Sequence, residues 1–85
     1  MDLNTVYSVM YEKQYPLAMR IKCKPYLARE SPKYEIRIFE PINGRIKITE
    51  AETRKIDRNA WKFDFHFGGI LFFKKRVDLE NLIAT

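Results

Sequence analysis

From Leu17 to Lys24 the chain alternates with a period of two. Leu17, Met19, Ile21 and Cys23 fall on one side, and Ala18, Arg20, Lys22 and Lys24 on the other. Successive side chains of a strand point to opposite faces, so the segment reads as a half-buried β-strand, apolar toward a core and basic toward solvent. A lone strand is not stable in water, so the rest of the chain must supply its neighbours. Pro25 ends the strand or marks a sheet edge. Ala28 to Lys33, which contains Ser31-Pro32, reads as a loop.

The expected neighbours follow in order. Tyr34 to Glu40 is a second strand with Tyr34, Ile36 and Ile38 inward, and Arg45 to Thr49 a third with Ile46 and Ile48 inward. Pro41-Ile42-Asn43-Gly44 joins them. A two-residue Asn-Gly turn would pair Ile38 with Thr49 and set apolar residues against polar ones along the ladder. A three-residue loop, with Gly44 left-handed in a bulge, pairs Ile38 with Ile48 and keeps one face apolar, so the longer loop is expected. Trp61 to Phe67 alternates again, with Trp61, Phe63, Phe65 and Phe67 as a core stripe and Lys62, Asp64 and His66 opposite. Gly68-Gly69 turns it tightly into a fifth strand, Ile70 to Arg76, so that Phe65 meets Phe72.

Helices are expected at three places. Leu3, Val6, Tyr7 and Met10 recur at helical spacing, with Asp2 or Asn4 as cap and Pro16 ending the helix by Tyr15. Thr49 followed by Glu52 resembles a capping box, and Glu50 stands four before Arg54. A short helix over 50–59, or an irregular crossover, is expected there. Asp78 caps a last short helix bearing Leu79, Leu82 and Ile83. The expected fold is a single α+β domain over residues 1–85. It is a five-stranded antiparallel sheet, or small open barrel, with an N-terminal helix, a short helix between strands three and four, and a short C-terminal helix. This order of elements is loosely similar to that of the OB fold, and a helix before five strands is also the order of Sm-like barrels. Neither family's sequence signature is present, so the resemblance is one of topology and implies no function.

Several chemistries find no support. The three glycines, Gly44, Gly68 and Gly69, all sit in turns, so there is no phosphate-binding loop. Cys23 is the one cysteine and His66 the one histidine. That excludes an internal disulfide and a cysteine-cluster metal site, and nothing near either residue suggests an activated nucleophile. Cys23 is expected to be a buried, inert thiol and His66 a surface residue. Acidic pairs such as Asp57 and Asp64 are of a kind any chain this size offers. No catalytic residue, metal or cofactor is expected. No apolar run approaches the roughly 18–20 residues that cross a bilayer, so no membrane partner is expected. The first ten residues lack the features of a signal peptide, so the expected location is cytoplasmic.

Binding is the remaining class. Sixteen Lys and Arg against eleven Asp and Glu leave a net charge of +5, which favours an anionic partner. If the first three strands form a meander with the expected loop, their outer face presents Arg20, Lys22 and Lys24, then Glu35, Arg37 and Phe39, then Arg45, Lys47 and Thr49. Six cations with one interleaved ring suit the backbone of single-stranded nucleic acid or RNA, with Phe39 stacking on a base and Tyr26 or Phe73 as other candidate rings. The alternative is a solvated face whose charges discourage aggregation.

Lys74, Lys75 and Arg76 would add a phosphate-binding rim or merely solubilise a strand end. Leu71 and Phe73 point away from the expected core. Either the C-terminal helix covers them, or they meet another chain in a homodimer or larger target. In the latter case Leu71, Phe73, Lys74, Lys75 and Arg76 form a protein-interaction patch, as in an adaptor or a phage-type accessory inhibitor of a host complex.

Overall fold

The computed structural model describes residues 2–24 and 33–84. Helix α1 (Leu3–Lys13) leads into strand β1 (Leu17–Lys24), then β2 (Lys33–Ile42) and β3 (Arg45–Ile56). A single 3-10 turn, Arg58–Ala60, precedes β4 (Phe65–Phe67), β5 (Ile70–Phe73), helix α2 (Arg76–Leu82) and the two-residue β6 (Ile83–Ala84). All pairings are antiparallel, and the strands lie in one open sheet in the order β4-β5-β1-β2-β3-β6. With β4 and β6 at opposite edges, the sheet is not the alternative small barrel. The expected loop at 28–32, Pro25 and Tyr26 lie outside the described residues.

Both faces of the sheet are buried at one end. On one face Val6 and Met10 of α1 pack against Ala18, Phe39, Ile70 and Phe72, closed off by Tyr15. On the other, Leu79 and Leu82 of α2 pack against Leu17, Met19, Ile36, Ile38, Leu71 and Phe73. Strand β5 lies between the two helices, so all four of its residues are buried. That settles Leu71 and Phe73: they form part of a second core under the C-terminal helix. The helix starts at Arg76, with Lys75 rather than Asp78 at its cap position. Asp78 sits in its first turn and pairs with Lys62 at 3.6 Å. Tyr15 stacks on Phe65 and tilts against Phe72, and burial beside the Asp64 charge raises its phenol above the usual tyrosine range.

Helix α1 is set by its ends. The Asp2 carboxylate accepts from the Thr5 backbone N–H at 2.8 Å and from its hydroxyl at 3.0 Å. Gln14 takes the left-handed conformation (φ 58°), and Tyr15 N–H returns to the Met10 carbonyl at 2.9 Å, which turns the chain into Pro16 and β1.

The β2–β3 hairpin differs from expectation in one decisive way. Asn43 (φ 52°) and Gly44 (φ 74°) form a two-residue turn, and Ile42 pairs directly with Arg45. Positive φ at both central positions makes a two-residue turn whose twist matches the right-handed twist of the strands. The mismatch that argued against this turn is removed further along. Phe39 pairs with Ile48 and Ile38 with Glu50, so Thr49 is an extra residue in a β-bulge. Its hydroxyl donates to the Ile38 carbonyl at 3.4 Å. Ile46 and Ile48 therefore share the face of Phe39, not that of Ile38.

The helix expected between strands three and four is not present. Residues 50–56 continue β3 as far as Ile56, because β2 is ten residues long and offers a complete ladder. That pairing outweighs a thin apolar stripe and one i,i+4 charge pair. The aromatic stripe is also divided. Only Phe65–Phe67 is strand; Phe63 packs into the α2 core, Phe65 into the α1 core, and Trp61 and Phe67 are exposed. Cys23 is exposed rather than buried, since β1 runs past the reach of α2.

Two outcomes follow. Phe73→Asp places an unpaired carboxylate in the α2 core and should abolish the cooperative thermal transition seen by circular dichroism. Capping by Thr5 lowers the Asp2 carboxyl below its usual 3.8. Its contribution is therefore whole above that value and lost as pH falls through the lowered one. Melts of wild type and Asp2→Asn from neutral to strongly acid pH should converge at the acid end.

Candidate nucleic-acid interface

The pairing register sorts the α1-side face into rows across the strands. The first, Ala18–Phe39–Ile48, lies partly under α1, with Ala18 and Phe39 buried. The second runs Phe67–Ile70–Arg20–Arg37–Ala51, the third Lys22–Glu35–Thr53, and the last Lys24–Lys33–Lys55. The residues packed with α1 end at Ile70, Phe72 and Phe39. Beyond them, Arg20, Lys33, Glu35 and Arg37 are half-buried, and Lys22 and Lys55 are exposed. Glu35 pairs with Arg37 at 3.8 Å. Arg20, Lys22, Glu35 and Arg37, with the Gly68-Gly69 turn, line a shallow groove of about 330 Å³.

Two features mark this half-face. Like charges stand directly opposite one another at Arg20 and Arg37, and at Lys33 and Lys55. Such pairs weaken a sheet unless another charge offsets them, as Glu35 does in part for Arg37. Phe67, 52% exposed, stands at the end of the Arg20 row. Its ring has no burial to explain it.

The residues expected at this site divide. Arg20, Lys22 and Arg37 come together, and the register puts Lys24 in the last row, though its side chain lies outside the described residues. Phe39 is 3% exposed in the α1 core and cannot stack on a ligand. Arg45 and Lys47 lie on the opposite face, opposite Ile42 and Glu40, because the short turn reverses the facing of β3. Lys33, Lys55 and Phe67 were missed. Lys33 extends the alternation of Glu35 and Arg37 backward, and Lys55 continues Ala51 and Thr53, once 50–56 is recognised as strand.

The second expected patch divides: its apolar residues are buried, while Lys74, Lys75 and Arg76 are exposed. Leu71 and Phe73 are buried, and the Lys74 ammonium lies 5.5 Å from the centre of the Tyr15 ring. Arg76 bridges Glu50 and Glu80, each at 3.2 Å, and approaches Glu40 at 3.9 Å. The α2 face thus carries mixed charge, with Arg76 the hub of its acids and Arg45, Lys47 and Arg54 among them, while the α1 face beyond the helix is mostly cationic.

Among the described residues no group of three His, Cys, Asp or Glu could hold a metal ion, and no helix is long and apolar enough to cross a membrane. No protein-family model matches the chain, and no curated protein or solved structure matches it at a significant level.

The like-charge rows give a test that does not depend on a ligand. Arg20→Glu converts a repulsive cross-strand pair with Arg37 into an attractive one. It should leave the free protein equally stable or about 0.2–1 kcal/mol more stable in urea titration at low salt.

Proposed function

We propose that this chain is a non-enzymatic module that binds single-stranded nucleic acid across the half of its sheet that neither described helix covers. Arg20, Lys22, Lys33, Arg37 and Lys55 face the phosphates, with Lys24 in the same row, and Phe67 stacks on a base at the β4 edge. The observation that carries the reading is the pair of cationic cross-strand contacts, Arg20 with Arg37 and Lys33 with Lys55, on a face that also exposes an aromatic ring. A flat surface about 10 Å across its three basic strands suits one extended strand with splayed bases. It presents no helix or ribbon to enter a duplex groove.

The protein-interaction reading through Leu71 and Phe73 has no exposed surface to act through, and no observation favours it.

Fluorescence anisotropy with labelled single-stranded RNA, single-stranded DNA and duplex, each over a salt series, tests the proposal. Neutralising four to five phosphates predicts a log–log salt slope of about −3 for single strands. Phe67→Ala should weaken binding by about 1–3 kcal/mol. Lys22→Glu with Arg37→Glu should abolish binding, whereas Lys47→Glu, on the other face, should leave it nearly unchanged. A flat salt response, or an equal loss from Lys47→Glu, would remove the reading.

A further inference from the structure

Strand β3 has twelve residues, yet on its outer side only Lys55 and Ile56 are paired, with β6. From Arg45 to Glu52 that edge has no strand partner among the described residues. A long open edge is a template for another strand, and soluble proteins usually guard it with like charge, which repels a second copy. The charge on β3 is arranged otherwise. On its α2 face the segment 45–52 carries Arg45 and Lys47 and then Glu50 and Glu52, and Arg54 beyond it holds Glu52 at 3.1 Å.

We propose that β3 pairs edge to edge with β3 of a second copy of this chain. The two-fold axis would pass between Ile48 and Thr49, and the strands would run antiparallel. In that register Arg45 of each copy stands opposite Glu52 of the other, and Lys47 opposite Glu50. Four cation–anion pairs form on one face. On the other, Ile46 meets Ala51, and each Ile48, 46% exposed in the single chain, stands beside the axis opposite Thr49 of the second copy.

The Thr49 bulge is what makes this register possible. In a regular strand, residues seven apart, such as 45 and 52, point to opposite faces, so they could not stand opposite each other in a symmetric antiparallel pair. The extra residue reverses the facing once, and Arg45 and Glu52 then share a face. Arg76, which holds Glu50 at 3.2 Å within its own chain, keeps that carboxylate on the face where Lys47 of the second copy would arrive. A second copy is the occupant because the complement of the edge is its own sequence reversed. The basic half-face is not used, so the proposal stands apart from nucleic-acid binding.

Sedimentation equilibrium without nucleic acid, over a range from micromolar to millimolar protein, is the test. Wild type should show a reversible monomer–dimer equilibrium that weakens with salt. Arg45→Glu with Lys47→Glu makes the edge all acidic, and Glu50→Lys with Glu52→Lys makes it all basic. Each variant alone should raise the dimer dissociation constant by more than tenfold, and an equimolar mixture of the two should restore a dimer. Should either variant misfold by circular dichroism, amide hydrogen exchange of wild type decides. Residues 45–52 should be protected at high concentration and lose that protection on dilution. A monomer throughout the range, a dimer that both variants retain, a mixture that stays monomeric, or exchange at 45–52 that ignores concentration would each overturn the proposal.

Discussion

The two helices are too short to cover the sheet they pack on. An α-helix rises about 1.5 Å per residue and a strand about 3.3 Å. The eleven residues of α1 therefore reach about 16 Å and the seven of α2 about 10 Å, while the twelve of β3 reach about 40 Å. The longest dimension of the molecule is 40 Å. Apolar residues can be buried only where a helix lies over them. They therefore concentrate at the β5 end, where the chain packs one core above the sheet and another below it. Everything further along β1, β2 and β3 has to be compatible with water on at least one side. That is why Leu17 and Met19 are buried while Ile21 is half-buried and Cys23 exposed, although all four belong to one alternating run.

Within that constraint, one turn and one inserted residue decide which charges share a face. A two-residue Asn43-Gly44 turn sends Arg45 and Lys47 to the α2 side. The Thr49 bulge then returns the alternation to a register in which Glu50 faces with Ile38 and Ala51 with Arg37. Without the bulge, continued pairing would slip the far half of β3 by one residue and turn Glu50 and Glu52 onto the cationic face. The separation of a mostly basic face from a mixed one is thus a consequence of backbone geometry at three residues rather than of the order of charges in the chain.

Much of the fold was legible because it rests on local periodicity. The helix at Leu3–Lys13, the strand at Leu17–Lys24 and the Gly68-Gly69 hairpin with Phe65 opposite Phe72 all follow from spacing and turn chemistry. The errors lie where local signals compete with partners far along the chain. Thr49 and Glu52 look like a helix start, but the ladder offered by β2 is longer than any helix the segment could form. Trp61 to Phe67 alternates like a strand, yet only three of its residues find a partner. The candidate site was half legible for the same reason. Arg20, Lys22 and Arg37 follow from alternation alone, whereas Lys33, Lys55 and Phe67 depend on how far each strand extends and which residue stands opposite.

The placement of the charges bears on function more than their number does. A net charge of +5 could be spread to minimise repulsion, with each cation opposite an acid, and on the α2 face it nearly is: Arg76 alone meets Glu40, Glu50 and Glu80. On the other face Arg20 stands against Arg37 and Lys33 against Lys55, with Glu35, 3.8 Å from Arg37, as the acid among them. Solubility does not require that, since evenly mixed charge serves it as well. If a polyanion lies along that face as proposed, its binding would add to the stability of the fold, because whatever binds only the folded chain stabilises it. The far half of the sheet, which neither described helix reaches, is where such a ligand, as proposed, would add most.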